Sequence, residues 1–259
     1  MQEDSRHDLI RNYNKEIIKI YQEENLNNLA GLQGNFELNG RDILSWYFDT
    51  IRKGQIKFND FDFNKLFDDL LFCSDEIIYT VAHLFLYRPY INNPLTTGSF
   101  FYGNEVFANY QNLEGKRYDM YLDIVSQQFY NYWDRIGDLL AVYFPNIFLK
   151  KKIYFSTTIE SIPSLFHGSE NYKWLKEFAD NQYKALNRIR KDIVHYVTSS
   201  TNFKWTHLQH AHDRSEMENW FNNRIGLADF YKKHNVYTLE GFEKTILLIE
   251  EITALKRYS

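Results

Sequence analysis

Cysteine is almost missing from this chain: Cys73 is the single one in 259 residues. No intramolecular disulfide can form, which is the usage expected of a protein kept in a reducing compartment. Proline and glycine are scarce, at 4 and 11. Few obligatory turns imply long uninterrupted elements and argue against a many-stranded β-sandwich or barrel. There is no surplus of positive charge, since 30 Lys+Arg face 34 Asp+Glu for a net charge of -4. Indiscriminate binding to nucleic acid is thereby disfavoured, and any such contact has to be local. Long hydrophobic runs are lacking too. The most apolar stretch, Ile77 to Tyr87, contains His83 and falls well short of the roughly 18 residues a membrane span needs. The charged start, Met1 to Arg11, has no apolar h-region, so no secretory signal is visible. A cytoplasmic protein with no membrane partner is expected.

Aromatic residues are abundant: 21 Phe, 20 Tyr and 5 Trp. Such a chain has ample material for a core, which argues against disorder. Helical periodicity dominates the pattern. Leu9, Tyr13, Ile17, Ile20 and Tyr21 recur at three- and four-residue spacing, so Asp4 to Leu29 reads as an amphipathic helix. Gln33 to Leu38 suits a short strand, and Asn39 suits the cap of a helix through Ile43, Trp46, Tyr47 and Ile51. Leu66 to Tyr87 reads as a long buried helix, closed near Arg88-Pro89 because a residue before proline avoids the α conformation.

Asn92 to Gly115 reads as a long loop or small irregular region. Tyr118, Leu122, Val125, Phe129, Trp133, Ile136, Leu140 and Tyr143 mark a strong helix ended by Pro145. Lys152 to Thr158 suits a strand or extended connector. A helix from Asn171 to Val197 carries Leu175, Ala179, Leu186, Ile189, Ile193 and Val197 on one stripe. Thr198 to Asp213, polar and rich in histidine, reads as a loop. Glu216 to Lys233 reads as a helix, and Thr238 as the cap of a last one with Phe242, Ile246, Ile249 and Leu255 inward. The fold class is mostly α: a helical bundle over residues 115–259, with an additional N-terminal helical portion, 1–114, packed on it.

Familiar signatures are missing. There is no Gly-rich phosphate loop, no Cys-x-x-Cys and no His-Glu-x-x-His. His207, His210 and His212 form the best metal candidate, but Asp213 is the only other ligand type at a familiar spacing. A structural or surface role is the better reading, so no metal or cofactor is expected. Cys73, beside Leu70, Leu71 and Phe72, reads as a buried small hydrophobe rather than a nucleophile.

The segment from Asn187 to Tyr196 differs, because it sets an arginine and a histidine near the end of a helix. Histidine can take or give a proton near neutral pH, and a guanidinium can clamp a phosphate and stabilise charge developing on it. Those are the two requirements for cleaving a phosphodiester without metal. At roughly 100° per residue, His195 points about opposite the Leu186/Ile193 stripe. Arg188 and Lys191 fall on nearly its side, while Arg190 lies toward the stripe's edge. Asp192, three residues before His195, is placed to orient the imidazole. A solvated charged helix face remains the competing explanation.

Arg190-Lys191-Asp192-Ile193-Val194-His195 resembles the Arg-x4-6-His motif of the HEPN superfamily (higher eukaryotes and prokaryotes nucleotide-binding domain), in which the histidine is often followed by Tyr, here Tyr196. The long helix before the motif and the closing helix after it fit a HEPN bundle of about four or five helices. The usual Asn, Asp or His after the arginine is here Lys191. Arg188 also meets the spacing, but Ile189 follows it.

The resemblance implies a metal-independent endoribonuclease, often a toxin or defence effector held by an antitoxin protein, working as a homodimer with both motifs lining one cleft. It implies His195 as general base or acid at the ribose 2′-OH and Arg190 as stabiliser of the phosphorane. Lys191, Asp192, Arg188 and Tyr196 would support them. Asp134 or Arg135 of the preceding helix would supply the polar residue that backs the motif, and Tyr196, Phe203 and Trp205 are candidates for stacking RNA bases. The alternative is a non-catalytic HEPN-like module binding RNA, a nucleotide or a protein partner.

Overall fold

The computed structural model describes residues 2–54, 62–96, 98–108, 111–144, 147 and 153–256. Helices dominate, as the scarcity of Pro and Gly requires. In chain order they are α1 (Gln2–Glu23), α2 (Ile43–Gly54), α3 (Phe63–Tyr87), α4 (Leu113–Val142), α5 (Phe155–Ser161), α6 (Glu170–Phe178), α7 (Lys184–His195), α8 (Ser199–His210) and α9 (Arg214–Lys256). The described strands form two antiparallel hairpins: β1 (Glu37–Leu38) with β2 (Arg41–Asp42), and β3 (Gly98–Phe101) with β4 (Asn104–Phe107).

The chain divides into two compact units. One comprises Met1–Leu26, Ile78–Gln127 and Ile189–Lys233; the other comprises Asn27–Ile77, Gln128–Arg188 and His234–Ser259. In the first, Phe107, Met217 and Trp220 are buried together, with Leu95, Phe203 and Phe221 against them. Polar groups in this core are paired, as burial demands. The Arg224 side chain donates to Asp119 Oδ1 through Nε and Nη2 at 3.0 and 2.8 Å, and to the Gly115 carbonyl. Tyr118 donates its hydroxyl proton to the Arg224 carbonyl.

The second unit is built on aromatic contacts. Tyr47 packs on Phe67 and Phe242, and Trp133 lies against Phe155 and Phe178 with centroids 4.8 and 4.1 Å apart. Trp46 Nε1 and the Thr50 hydroxyl both donate to Glu250.

Several elements differ from the sequence expectations. Helix α1 stops at Glu23, where Asn25 takes a positive φ of 51°; Leu26 and Leu29 are still buried, but from the turn beyond it. Leu9 of its apolar stripe is exposed. Asn39 does not cap α2. It forms with Gly40 the positive-φ turn of the first hairpin, and Asp42 Oδ1 accepts from the Ser45 N–H instead. The region 92–115 holds a second such hairpin, turning at Tyr102-Gly103.

Lys152 and Pro145 lie outside the described residues, and Phe155–Ser161 is helical rather than extended. Thr238 is interior to α9, which runs unbroken for 43 residues; its hydroxyl donates back to the Asn235 carbonyl at 2.7 Å.

One helical stretch, Phe63–Thr96, is long and apolar enough to cross a membrane, but most of it is buried within the protein, as in a core helix.

Candidate active site

The Arg/His segment closes a long helical run. Ser169 begins it: its hydroxyl oxygen accepts from the N–H groups of Asn171 and Tyr172, the usual stabilisation of a helix start. After α6, residues Ala179–Tyr183 form one π-helical turn, and α7 continues to His195. Single π turns inside α-helices are frequent near functional sites, because they rotate everything downstream relative to the preceding face.

On α7 only Leu186 is fully buried. Ile189, Arg190 and Ile193 are half-buried, and Arg188, Lys191, Asp192, Val194 and His195 are exposed. This is the expected stripe, with His195 away from it. The helix ends because the N–H groups of Tyr196 and Val197 both turn back to the Asp192 carbonyl, each at 3.0 Å. Thr198 then adopts an extended conformation, and its hydroxyl oxygen accepts from the Thr201 N–H to start α8.

The segment 198–213 is therefore mostly helical, not a loop. Its polar sequence hides the element, since only His207 on it is buried. Tertiary contacts hold α8: His207 Nε2–H donates to the Phe107 carbonyl at 2.6 Å, and Trp220 Nε1–H donates to the Phe203 carbonyl at 3.0 Å. The carboxylate of Asp123, on α4, accepts from the Ser199 N–H at 3.0 Å, fixing the first turn.

The structure brings some of the expected residues together and not others. Arg190 Nε donates to Gln127 Oε1 of α4 at 3.4 Å, so the guanidinium is tethered at its stem. Gln127 carries no sequence signal and was not foreseen. Arg188, Lys191 and His195 share the exposed face. Among the described residues Asp192 forms no ion pair or hydrogen bond with His195. Tyr196 is 78% exposed and Trp205 60%, whereas Phe203 packs in the core cluster.

Asp134 belongs to the second unit, where burial pushes its carboxyl up to about 6 against the opposing Phe155 N–H and Tyr130 hydroxyl. Arg135 is engaged by Asp69 and Asp138 at 3.1 and 3.2 Å.

Other candidates resolve simply. His207 is structural, and no cluster of three or more His, Cys, Asp or Glu among the described residues can hold a metal. Cys73 is buried, which pushes its thiol up to about 11 and keeps it protonated.

A hydrogen-bonded cluster around the buried His83 was foreshadowed only by a histidine inside the most apolar run. His83 Nδ1–H donates to the Tyr79 carbonyl at 2.6 Å, so Nε2 accepts from the Tyr13 hydroxyl. Burial pushes the His83 ring below its ordinary value, so it is held neutral.

Compared with known proteins, the chain matches the family model described as HEPN_Cthe2314-like HEPN over residues 73–251, from within α3 to near the end of α9. No curated protein and no solved structure matches.

Proposed function

The chain belongs to the HEPN family, and from that premise we propose that it is a metal-independent endoribonuclease acting through Arg190 and His195. The observation that carries this reading is the exposure of His195 at the end of α7, five residues after the half-buried, Gln127-tethered Arg190. An accessible imidazole can exchange a proton with a ribose 2′-OH, and a fixed guanidinium costs little reorganisation as charge builds on phosphorus.

In this reaction His195 takes the 2′-OH proton and the 2′-oxygen attacks the adjacent phosphorus. Arg190 holds the anionic oxygens of the phosphorane, the 5′-oxygen leaves with a proton taken from water, and a 2′,3′-cyclic phosphate remains. Arg188 and Lys191 add local positive charge for the backbone of the RNA. Tyr196 is proposed as a supporting residue. Five residues along an α-helix separate two positions by about 7.5 Å and roughly 140°. Facing motifs from two subunits relieve that divergence, so a homodimer is part of the proposal, as is restraint by an antitoxin protein in a toxin or defence setting.

The test compares wild type, His195→Ala and Arg190→Ala on structured and single-stranded RNA in EDTA. Loss of cleavage of at least a hundredfold in each variant is expected, the scale of one general acid–base group. Equal cleavage by wild type and His195→Ala, or none by any protein across diverse RNAs, defeats it.

A second reading has its own support. Lys191 stands where the motif usually carries Asn, Asp or His, which favours a non-catalytic module that binds RNA, a nucleotide or a protein partner. Binding of RNA without turnover is the result that selects it.

A further inference from the structure

A cavity of about 490 Å³ opens beside α7, within the first unit. That size lies in the range of small-molecule sites. Its walls include Asp192, Ile193 and Tyr196 from the motif segment, Asn202 and Phe203 from α8, and Asn223 from α9. Asp192 and Ile193 fall inside the motif, and Tyr196 is next to His195.

The wall opposite α7 is built before any ligand arrives. Phe203 is fixed through its carbonyl by Trp220, and the Arg224 guanidinium sits 5.3 Å from its ring centroid. Arg224 is in turn held by the buried Asp119. The first turn of α8 is pinned to Asp123. An aromatic ring and aliphatic side chains bounded by amides match a planar heteroaromatic ring, with apolar faces and a polar edge.

We infer that this cavity is a guanine subsite that reads the base next to the scissile phosphate; the inference rests on the ribonuclease reading and names its specificity. Among the described residues that line the cavity, Asp192 is the only charged one. A carboxylate accepts through two oxygens and donates nothing, so it pairs best with two adjacent N–H groups. Guanine presents such a pair, at N1 and the 2-amino group. Adenine and cytosine each set an amino group beside a bare ring nitrogen, and uracil flanks a single N–H with carbonyls. The side-chain amides of Asn202 and Asn223 supply N–H donors for guanine O6 and N7. Asp192 thus acts on the base, which accounts for its carboxylate lying free of His195. The cations Arg188, Arg190 and Lys191 lie on the same helix, where the phosphate attached to that base has to pass.

The experiment measures equilibrium affinity for 2′-O-methyl tetranucleotides U-x-U-U, which cannot be cleaved, with x as G, inosine, A, C or U. Guanine should bind tightest, by on the order of tenfold over A, C and U, the scale of one bidentate pair. Inosine, lacking the 2-amino group, should fall between. Asp192→Asn, at an exposed position, should level the series, and Asn223→Ala should weaken guanine binding several-fold. Equal affinity for all five, no binding of any, or an unchanged preference in Asp192→Asn overturns the subsite. The outcomes separate from those of the cleavage test: guanine preference without cleavage removes only the ribonuclease, and cleavage without base preference removes only the subsite.

Discussion

Arg224 and Asp119 are both almost wholly enclosed, at 2% and 1% exposure. Burial lifts the Asp119 carboxyl while Arg224 opposes it, so each charge is tolerable only through the other. Removing one partner of such a pair strands the second, at a cost of about 3–5 kcal/mol. Asp119→Ala should therefore lower the unfolding free energy by that amount in urea titration, with Phe203 and the cavity wall loosened. Asp134 offers a test by pH. Its carboxyl is raised to about 6 in the folded state, above the unfolded value near 3.9. The folded protein then binds the proton more tightly between roughly pH 4 and 6, and its stability falls as pH rises through that window. Oδ1 of Asp134 is also buried without a hydrogen-bond partner. Asp134→Asn should remove this slope and raise the melting temperature at pH 7.5 but not at pH 4, as thermal scans at both values will measure.

At the scale of elements, α9 carries two glycines with opposite demands. Glycine inside a helix costs about 0.5–1 kcal/mol relative to alanine. A Cβ on Gly226 would meet nothing within 4 Å, so Gly226→Ala should stabilise by roughly that amount. A Cβ on Gly241 would stand inside van der Waals distance of the Trp133 ring. Trp133 is fully buried and packs against both Phe155 and Phe178, so the overlap has little room to relax, and overpacking of about 1–3 kcal/mol outweighs the helix gain. Gly241→Ala should lower the melting temperature while Gly226→Ala raises it. The same contrast explains what the sequence conceals. Apolar periodicity made α3, α4 and α7 readable, but α8 has one buried side chain and is held by contacts from Phe107, Asp123 and Trp220, none of which is local. Thr238 misleads as a cap because its hydroxyl serves the Asn235 carbonyl within α9.

For the whole molecule, the charge of -4 sets a limit on how RNA is held. In the proposed site the cations of one helix, Arg188, Arg190 and Lys191, are offered to phosphates. Three neutralised phosphates on a single strand give a slope of about -2 in log affinity against log salt. A much steeper slope in titrations between 50 and 300 mM salt would mean a broad basic surface and contradict a local site. The proposed homodimer makes a second whole-molecule prediction. Sedimentation should show twice the mass of 31.2 kDa, and specific activity should drop on dilution below the dissociation constant.

Composition and periodicity alone determined the class: few turns, no disulfide, helices with apolar stripes, and an Arg/His segment at a helix end. Those properties are local, because helix spacing and turn residues act within a few positions of the chain. Tertiary structure decided the rest. It joined 216–255 into one helix, turned 199–210 into another, gave Arg190 its tether on Gln127, and enclosed a cavity against Asp192. Each of these depends on groups dozens of residues apart in sequence, whose meeting is fixed only when the core closes.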